Sequence, residues 1–172
     1  DSRSSGKSLP NGVLGMLLFV ITEIMIFSAF ISAYLVVGSS APTWPPIDQP
    51  RLPIEATAFN TFILLLSGFF TFRANRSFFL PGEEGKACSL FLISILLGIF
   101  FVLFQGYEWI GLISYGMTMT SGPYGSFFYL IIGGHALHAV VAIGILIHFY
   151  RKMRQATLTP SEFWTGQAFW YF

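Results

Sequence analysis

The chain has 172 residues, of which 54% are hydrophobic, 18% aromatic and only 10% charged. That balance excludes an ordinary soluble domain and points to a single membrane domain over residues 1–172. The net charge of +1 excludes the basic footprint of a nucleic-acid binder, and a single cysteine, Cys88, excludes an internal disulfide or a thiolate metal cluster. Cys88 reads as a small apolar packing residue.

Residues 13–37 form the first apolar run, interrupted by one charge, Glu23. At about 1.5 Å of helical rise per residue, the run crosses a hydrocarbon core about 30 Å thick and sets the acid near its middle. A charged side chain there costs at least about 2.5 kcal/mol, so the acid is expected to face protein or water. Two readings stand: a protonated Glu bonded to a neighbouring helix, and a carboxyl that handles protons or directs assembly. The run is too long for a signal peptide and lacks a small-residue cleavage site after it.

The segment 38–53 holds Pro42, Pro45, Pro46, Pro50 and Pro53 with Trp44, the composition of a stiff outer loop with an interfacial aromatic. A second span is expected over 54–72, where Pro53 and Glu55 suit a helix start. A third covers 87–110 and closes on Gln105 and Glu108. The uncharged stretch 111–124 is broken by Gly116, Gly122 and Pro123 before a fourth span, 127–150. That span places His135 and His138 on one face and carries Gly133, Gly134, Ala136, Ala139, Ala142 and Gly144, small residues that allow close helix approach. Residues 162–172 open a fifth helix that stops short of a crossing. The fold class is therefore all-α: a polytopic transmembrane bundle of four full spans and the start of a fifth.

The third and fourth spans are consecutive and joined by a short loop, so they read as antiparallel neighbours, with Glu108 expected to meet the two histidines. Gln105, Glu108, His135 and His138 then form an interhelical polar network, as hydrocarbon demands of buried polar groups. Metal ligation is the weaker reading, because a catalytic site normally needs three converging protein ligands and two helical His with one distant Glu match that poorly. His148 reads as a wetted interface residue. Trp109, Trp164 and Trp170 fall near span ends as belt aromatics, and the 20 phenylalanines read as core and lipid-facing packing.

Arg3 and Lys7 precede the first span, Arg73, Arg76 and Lys86 lie between the second and third, and Arg151, Lys152 and Arg154 follow the fourth. Against these, Arg51 alone falls on the other side. The positive-inside rule then places the N-terminus in the cytoplasm, with the first and third spans running outward. Arg73, Arg76 and Arg151 are candidate contacts for anionic lipid headgroups.

In order along the chain stand Gly15-Met16-Leu17-Leu18-Phe19 with Thr22-Glu23, Trp44-Pro45-Pro46, Asn60-Thr61, Ser67-Gly68, Gln105 and Glu108. Tyr124-Gly125-Ser126 with Phe128, His135-x-x-His138 and Trp170-Tyr171 follow. This series resembles subunit III of the heme-copper oxidases, the cytochrome c oxidase family, and matches its five-helix form. The resemblance implies two bundles around a V-shaped cleft that holds phospholipid, and makes Glu23 the family's carbodiimide-reactive mid-membrane carboxyl. It implies a non-redox accessory role beside subunit I, with subunit II and a small subunit IV as further partners and cytochrome c docking elsewhere. Heme and copper are expected in the partner subunits and no cofactor in this chain beyond bound phospholipid. Such a chain would hold subunit I's proton-entry region in shape, retain lipid and offer dioxygen an apolar route, in a bacterial inner membrane. A quinol oxidase or a nitric oxide reductase-associated subunit fits the same residues. A stand-alone membrane metalloenzyme built on His135, His138 and Glu108, or a transporter using Glu23, is the remote alternative.

Overall fold

A computed structural model describes residues 11–44 and 54–172. They form five helices: α1 (Asn11–Ser40), α2 (Ile54–Phe78), α3 (Glu84–Ser114), α4 (Pro123–Arg154) and α5 (Pro160–Tyr171). The first four are long and apolar enough to cross a membrane. The expected loop residues Pro45, Pro46, Pro50, Pro53 and Arg51, with Arg3 and Lys7, lie outside the described residues.

The helices overrun the expected spans because a helix does not stop where hydrocarbon stops. α2 has 25 residues, and its last turns carry Arg73 and Arg76, so these arginines are helical rather than linker residues. Lys86 likewise sits in the first turn of α3, and Arg151 in the last turn of α4. Cations at the ends of α2 and α4 meet the partial negative charge of exposed carbonyls. Gly82, at φ 81°, turns α2 into α3, and Gly122, at φ 134°, delivers the chain to Pro123 at the start of α4. α5 opens on a complete capping box, with Thr159 and Glu162 each accepting the other's backbone N–H.

α2 and α3 pair as the most extensive hairpin, and α3 packs on α4. α5 wedges against α1, α2 and α4, whereas α1 touches only α4 and α5 among the described helices. Consecutive α1 and α2 are therefore not neighbours. The core gathers Phe91 and Ile95 of α3, Ile143 and Leu146 of α4, and Phe163 and Trp170 of α5. Trp170, expected at a membrane boundary, is instead 9% exposed and packed over Gly98. The close approaches fall only in part where expected, at Ala142 in the core and at Gly134 against Phe27 of α1. Gly133 and Gly144 face open space, whereas Gly98 of α3 and Gly166 of α5 lie under Trp170 and Phe149.

The burial pattern is the inverse of a soluble protein's. Asn60, Ser67, Thr71, Asn75 and Ser77 are buried on α2, while Phe59, Phe62, Leu65, Phe69 and Phe72 of the same helix are exposed. α1 has no buried residue at all. Such surfaces fit a hydrocarbon solvent, in which apolar side chains lose nothing by exposure and polar ones need protein partners.

Candidate functional site

Glu23 lies about 18 Å along α1 from its first residue, at the depth where hydrocarbon is expected. Its Oε2 meets His138 Nε2 of α4 at 2.8 Å. On the other side of the ring, His138 Nδ1 lies 2.7 Å from the carbonyl of Gly134, one turn earlier. A carbonyl can only accept, so Nδ1 carries a hydrogen and donates it. The bond between Nε2 and Glu23 then holds a single proton, borne by an imidazolium facing a carboxylate or by a carboxylic acid facing a neutral imidazole. In either arrangement the pair is neutral as a whole, which is how a mid-span acid is accommodated at tolerable cost.

Aromatic rings wall this pair. Phe27 of α1 stands edge-on to His138 at 5.6 Å and to His135 at 6.5 Å. Phe169 and Phe172 of α5 approach His138 at 6.4 and 6.2 Å. Both histidines line a cavity of about 380 Å³ between α2, α4 and α5, whose other walls include Leu64, Gly68, Phe69 and Phe101. Glu23 and His138 retain 13% and 24% side-chain exposure, and the pair reaches this apolar space through His138.

The expected four-residue network divides in two. Gln105 and Glu108 do not reach the histidines. Gln105 Oε1 accepts from Asn60 Nδ2 of α2 at 3.1 Å, and Gln105 Nε2 donates to Glu108 Oε2 at 3.4 Å. Glu23 takes the place expected for Glu108, because α4 packs on α1 as well as on α3. Asn60 Nδ2 also reaches the Phe101 carbonyl at 3.4 Å, tying α2 to α3. His135, exposed on its own helix, has no hydrogen bond or ion pair among the described residues. No group of three His, Cys, Asp or Glu comes together there to hold a metal.

Two further polar seams were not singled out from the sequence. Ser67 Oγ donates to the Ser94 carbonyl at 2.8 Å, Ser94 Oγ returns a bond to the Ser67 carbonyl at 2.9 Å, and Thr71 Oγ1 meets Ser94 Oγ at 2.5 Å. Asn75 donates to Gln167, which donates to the Tyr171 hydroxyl, which in turn donates to the Gly68 carbonyl at 3.2 Å. The signal for the first was available in the recurrence of Asn60, Ser67, Thr71 and Asn75 at helical spacing along one face of α2. The partners on α5 had no such signal.

The cationic candidates occupy two places. Arg73, 6.0 Å above the ring of Phe69, shares a cup with Arg76 beneath the α2–α3 hairpin. Arg151 lies with Arg154 at the mouth of an apolar groove of about 450 Å³ between α3 and α4.

Spanning helices, polar seams confined to helix contacts and a neutralised acid in mid-span define an integral-membrane helix bundle. A family model for cytochrome c oxidase subunit III matches residues 7–172. The chain belongs to that family. It is 33% identical over 165 residues to cytochrome c oxidase subunit 3 of Loxodonta africana, covering 91% of this chain and 61% of that protein. The protein of the same name from Tragelaphus imberbis gives the same figures. That of Litocranius walleri is 32% identical over 183 residues, covering 99% of this chain and 68% of the relative. The chain thus spans about three-fifths of the length of the first of these curated relatives.

Proposed function

We propose that this chain is the non-redox accessory subunit III of a proton-pumping heme-copper terminal oxidase of aerobic respiration. The observation that supports this best is the Glu23–His138 pair, a proton-exchangeable group held at membrane depth beside an apolar cavity in a chain of this family. In this reading dioxygen is reduced to water at a heme-copper centre in subunit I, with heme and copper held by the partner subunits. The chain's own residues take no part in electron transfer. Its role is to brace subunit I around the proton-entry region, to hold phospholipid against apolar faces such as that of α1, and to leave dioxygen an apolar path. A small subunit IV and the phospholipids complete the contacts, and cytochrome c docks on another subunit. We place the assembly in a bacterial inner membrane, and the distribution of basic residues supports a cytoplasmic N-terminus.

Purification through a tag on this chain in mild detergent, followed by a reduced-minus-oxidised spectrum and peptide identification, tests the reading. Stoichiometric a-type heme with cytochrome c oxidation supports it. Heme with quinol oxidation only would move the chain to a quinol oxidase, nitric oxide reduction would move it to that class of assembly, and a colourless preparation without large partners would overturn the reading. In the active complex, Glu23→Gln is expected to leave subunit content unchanged and to shorten the catalytic lifetime or slow proton uptake. An unaltered pH–rate profile and lifetime would reduce Glu23 to a packing role.

A further inference from the structure

Two grooves follow one another along the seam between α3 and α4, and among the described residues no other helix lines either. One, of about 450 Å³, lies between residues 92–99 of α3 and 147–154 of α4. The other, of about 380 Å³, lies between residues 101–109 of α3 and 132–140 of α4. The α4 side of this seam is a single stripe. Leu137, Val140, Gly144, Ile147, Arg151 and Arg154 recur at alternating intervals of three and four residues, the spacing by which one helix packs along another. At about 1.5 Å per residue the stripe runs about 26 Å, most of a hydrocarbon core about 30 Å thick.

The stripe is open and its far end is charged. Leu137 and Val140 are 65% and 52% exposed. A Cβ at Gly144, or at Gly106 on the α3 side, would meet no atom within 4 Å, so packing inside this chain requires neither glycine. Glycine on an open membrane face lets a second backbone come close. Arg151 and Arg154 have no carboxylate partner among the described residues, whereas Lys152 between them is paired with Glu162. An acyl chain would fill one leaflet and leave the other half of the stripe bare. A second copy of this chain, joined stripe to stripe about an axis along the membrane normal, would set arginine against arginine.

We propose that the α3–α4 seam seats one membrane-spanning helix of another chain. That helix carries an aspartate or glutamate at the end that meets Arg151 and Arg154, and small or aliphatic residues where it passes Gly144 and Gly106. Guanidinium forks suit a carboxylate, and at the membrane boundary the pairing fixes register and choice of partner more than affinity. The seam is separate from the contact of α1 with His138. The proposal goes beyond the oxidase assignment and rests only on the membrane placement of α3 and α4, so the same helix found in a heme-free assembly would leave it standing.

The test uses the native assembly, prepared with p-benzoylphenylalanine in place of Leu137 or of Ile147 and irradiated in mild detergent. Both probes are expected to label one apolar segment of one other chain, with the acid of that segment about a turn or two beyond the position labelled from Ile147. Adducts with lipid alone, with a second copy of this chain, with two different chains, or with a segment lacking that acid would each overturn the proposal. Charge reversal gives an independent readout. Arg151→Glu combined with Arg154→Glu is expected to lower retention of the labelled chain at least about tenfold, since like charges facing across an interface cost several kcal/mol. Changing the partner's acid to Lys should restore it. Gly106→Leu, which meets open space within this chain, should also lower retention, while hydrogen exchange around Ser67 and Ser94 matches the parent. Unchanged retention in the charge-reversed or the Gly106→Leu protein would overturn the proposal.

Discussion

His138 is held by two bonds that do different work. The Gly134 carbonyl fixes the hydrogen on Nδ1, and this leaves Nε2 with one proton to share with Glu23. Replacing Glu23 with Gln keeps a neutral pair, since the new amide N–H can donate to Nε2. The expected loss of stability is below about 1 kcal/mol, within the range of membrane interhelical hydrogen bonds. His138→Ala instead strands the carboxyl in hydrocarbon and is expected to cost about 1–3 kcal/mol. Denaturation of the purified assembly in a mixed-detergent series checks the order of the two, and equal losses would mean that the pair carries no specific bond. Gly98 sets a different kind of limit. A Cβ there would lie 2.6 Å from Trp170 Cη2 and close to Ile143. Gly98→Ala is therefore expected to destabilise by about 1–3 kcal/mol through overpacking. Gly133→Ala meets open space and should lose nothing. The same denaturation series reads both, and a Gly98→Ala protein as stable as Gly133→Ala would show that Trp170 can move aside.

Among the elements, α5 depends most on its neighbours. Its twelve residues are short for a marginal helix in isolation, and its order comes from the capping box, the Lys152–Glu162 ion pair and burial of Phe163 and Trp170. The Lys152 ammonium, followed by the Thr159 backbone N–H, lowers the Glu162 carboxyl from its ordinary 4.5 to about 2. A depressed carboxyl contributes stability that is fully present above its unfolded value and is lost as pH falls through its folded one. The ion pair and cap should thus hold α5 constant from neutral pH down to about 4.5 and loosen it between there and about 2. The effect is small because the pair is partly exposed. Hydrogen exchange across residues 160–171 should show that acid dependence, and Glu162→Gln should flatten it; a slope unchanged in the variant would assign it to another group. The four long helices were legible in the sequence because uncharged runs of spanning length are a strong signal. Their ends were not, since the runs stop at Arg73 and Arg151 while the helices continue into the polar boundary. The seam of Asn60, Ser67 and Thr71 was signalled by helical recurrence along one face of α2, but a window long enough to detect a span averages that signal away among apolar neighbours.

At the scale of the molecule, the misplaced expectation was which helices meet. Sequence adjacency made α3 and α4 the natural frame for His138, and that frame drew Glu108 toward it. The observed order places α1 against α4 and α5, so the acid that reaches His138 comes from the far end of the chain. No periodicity reports such a long-range pairing, because α1 is apolar all round and shows no preferred face. The arrangement is directly testable by proximity. Phe19 of α1 and Phe169 of α5 have ring centroids 5.8 Å apart, whereas α1 makes no contact with α2, where Phe62 is exposed. In an otherwise cysteine-free background with Cys88→Ala, the pair Phe19→Cys and Phe169→Cys should join within one chain through a short bis-maleimide. The pair Phe19→Cys and Phe62→Cys should remain unlinked under the same conditions. Linking of the second pair but not the first would place α1 beside α2 and separate Glu23 from His138. The neutral pair and any proton-related role for Glu23 would fall with that result, whereas membership of the family would stand.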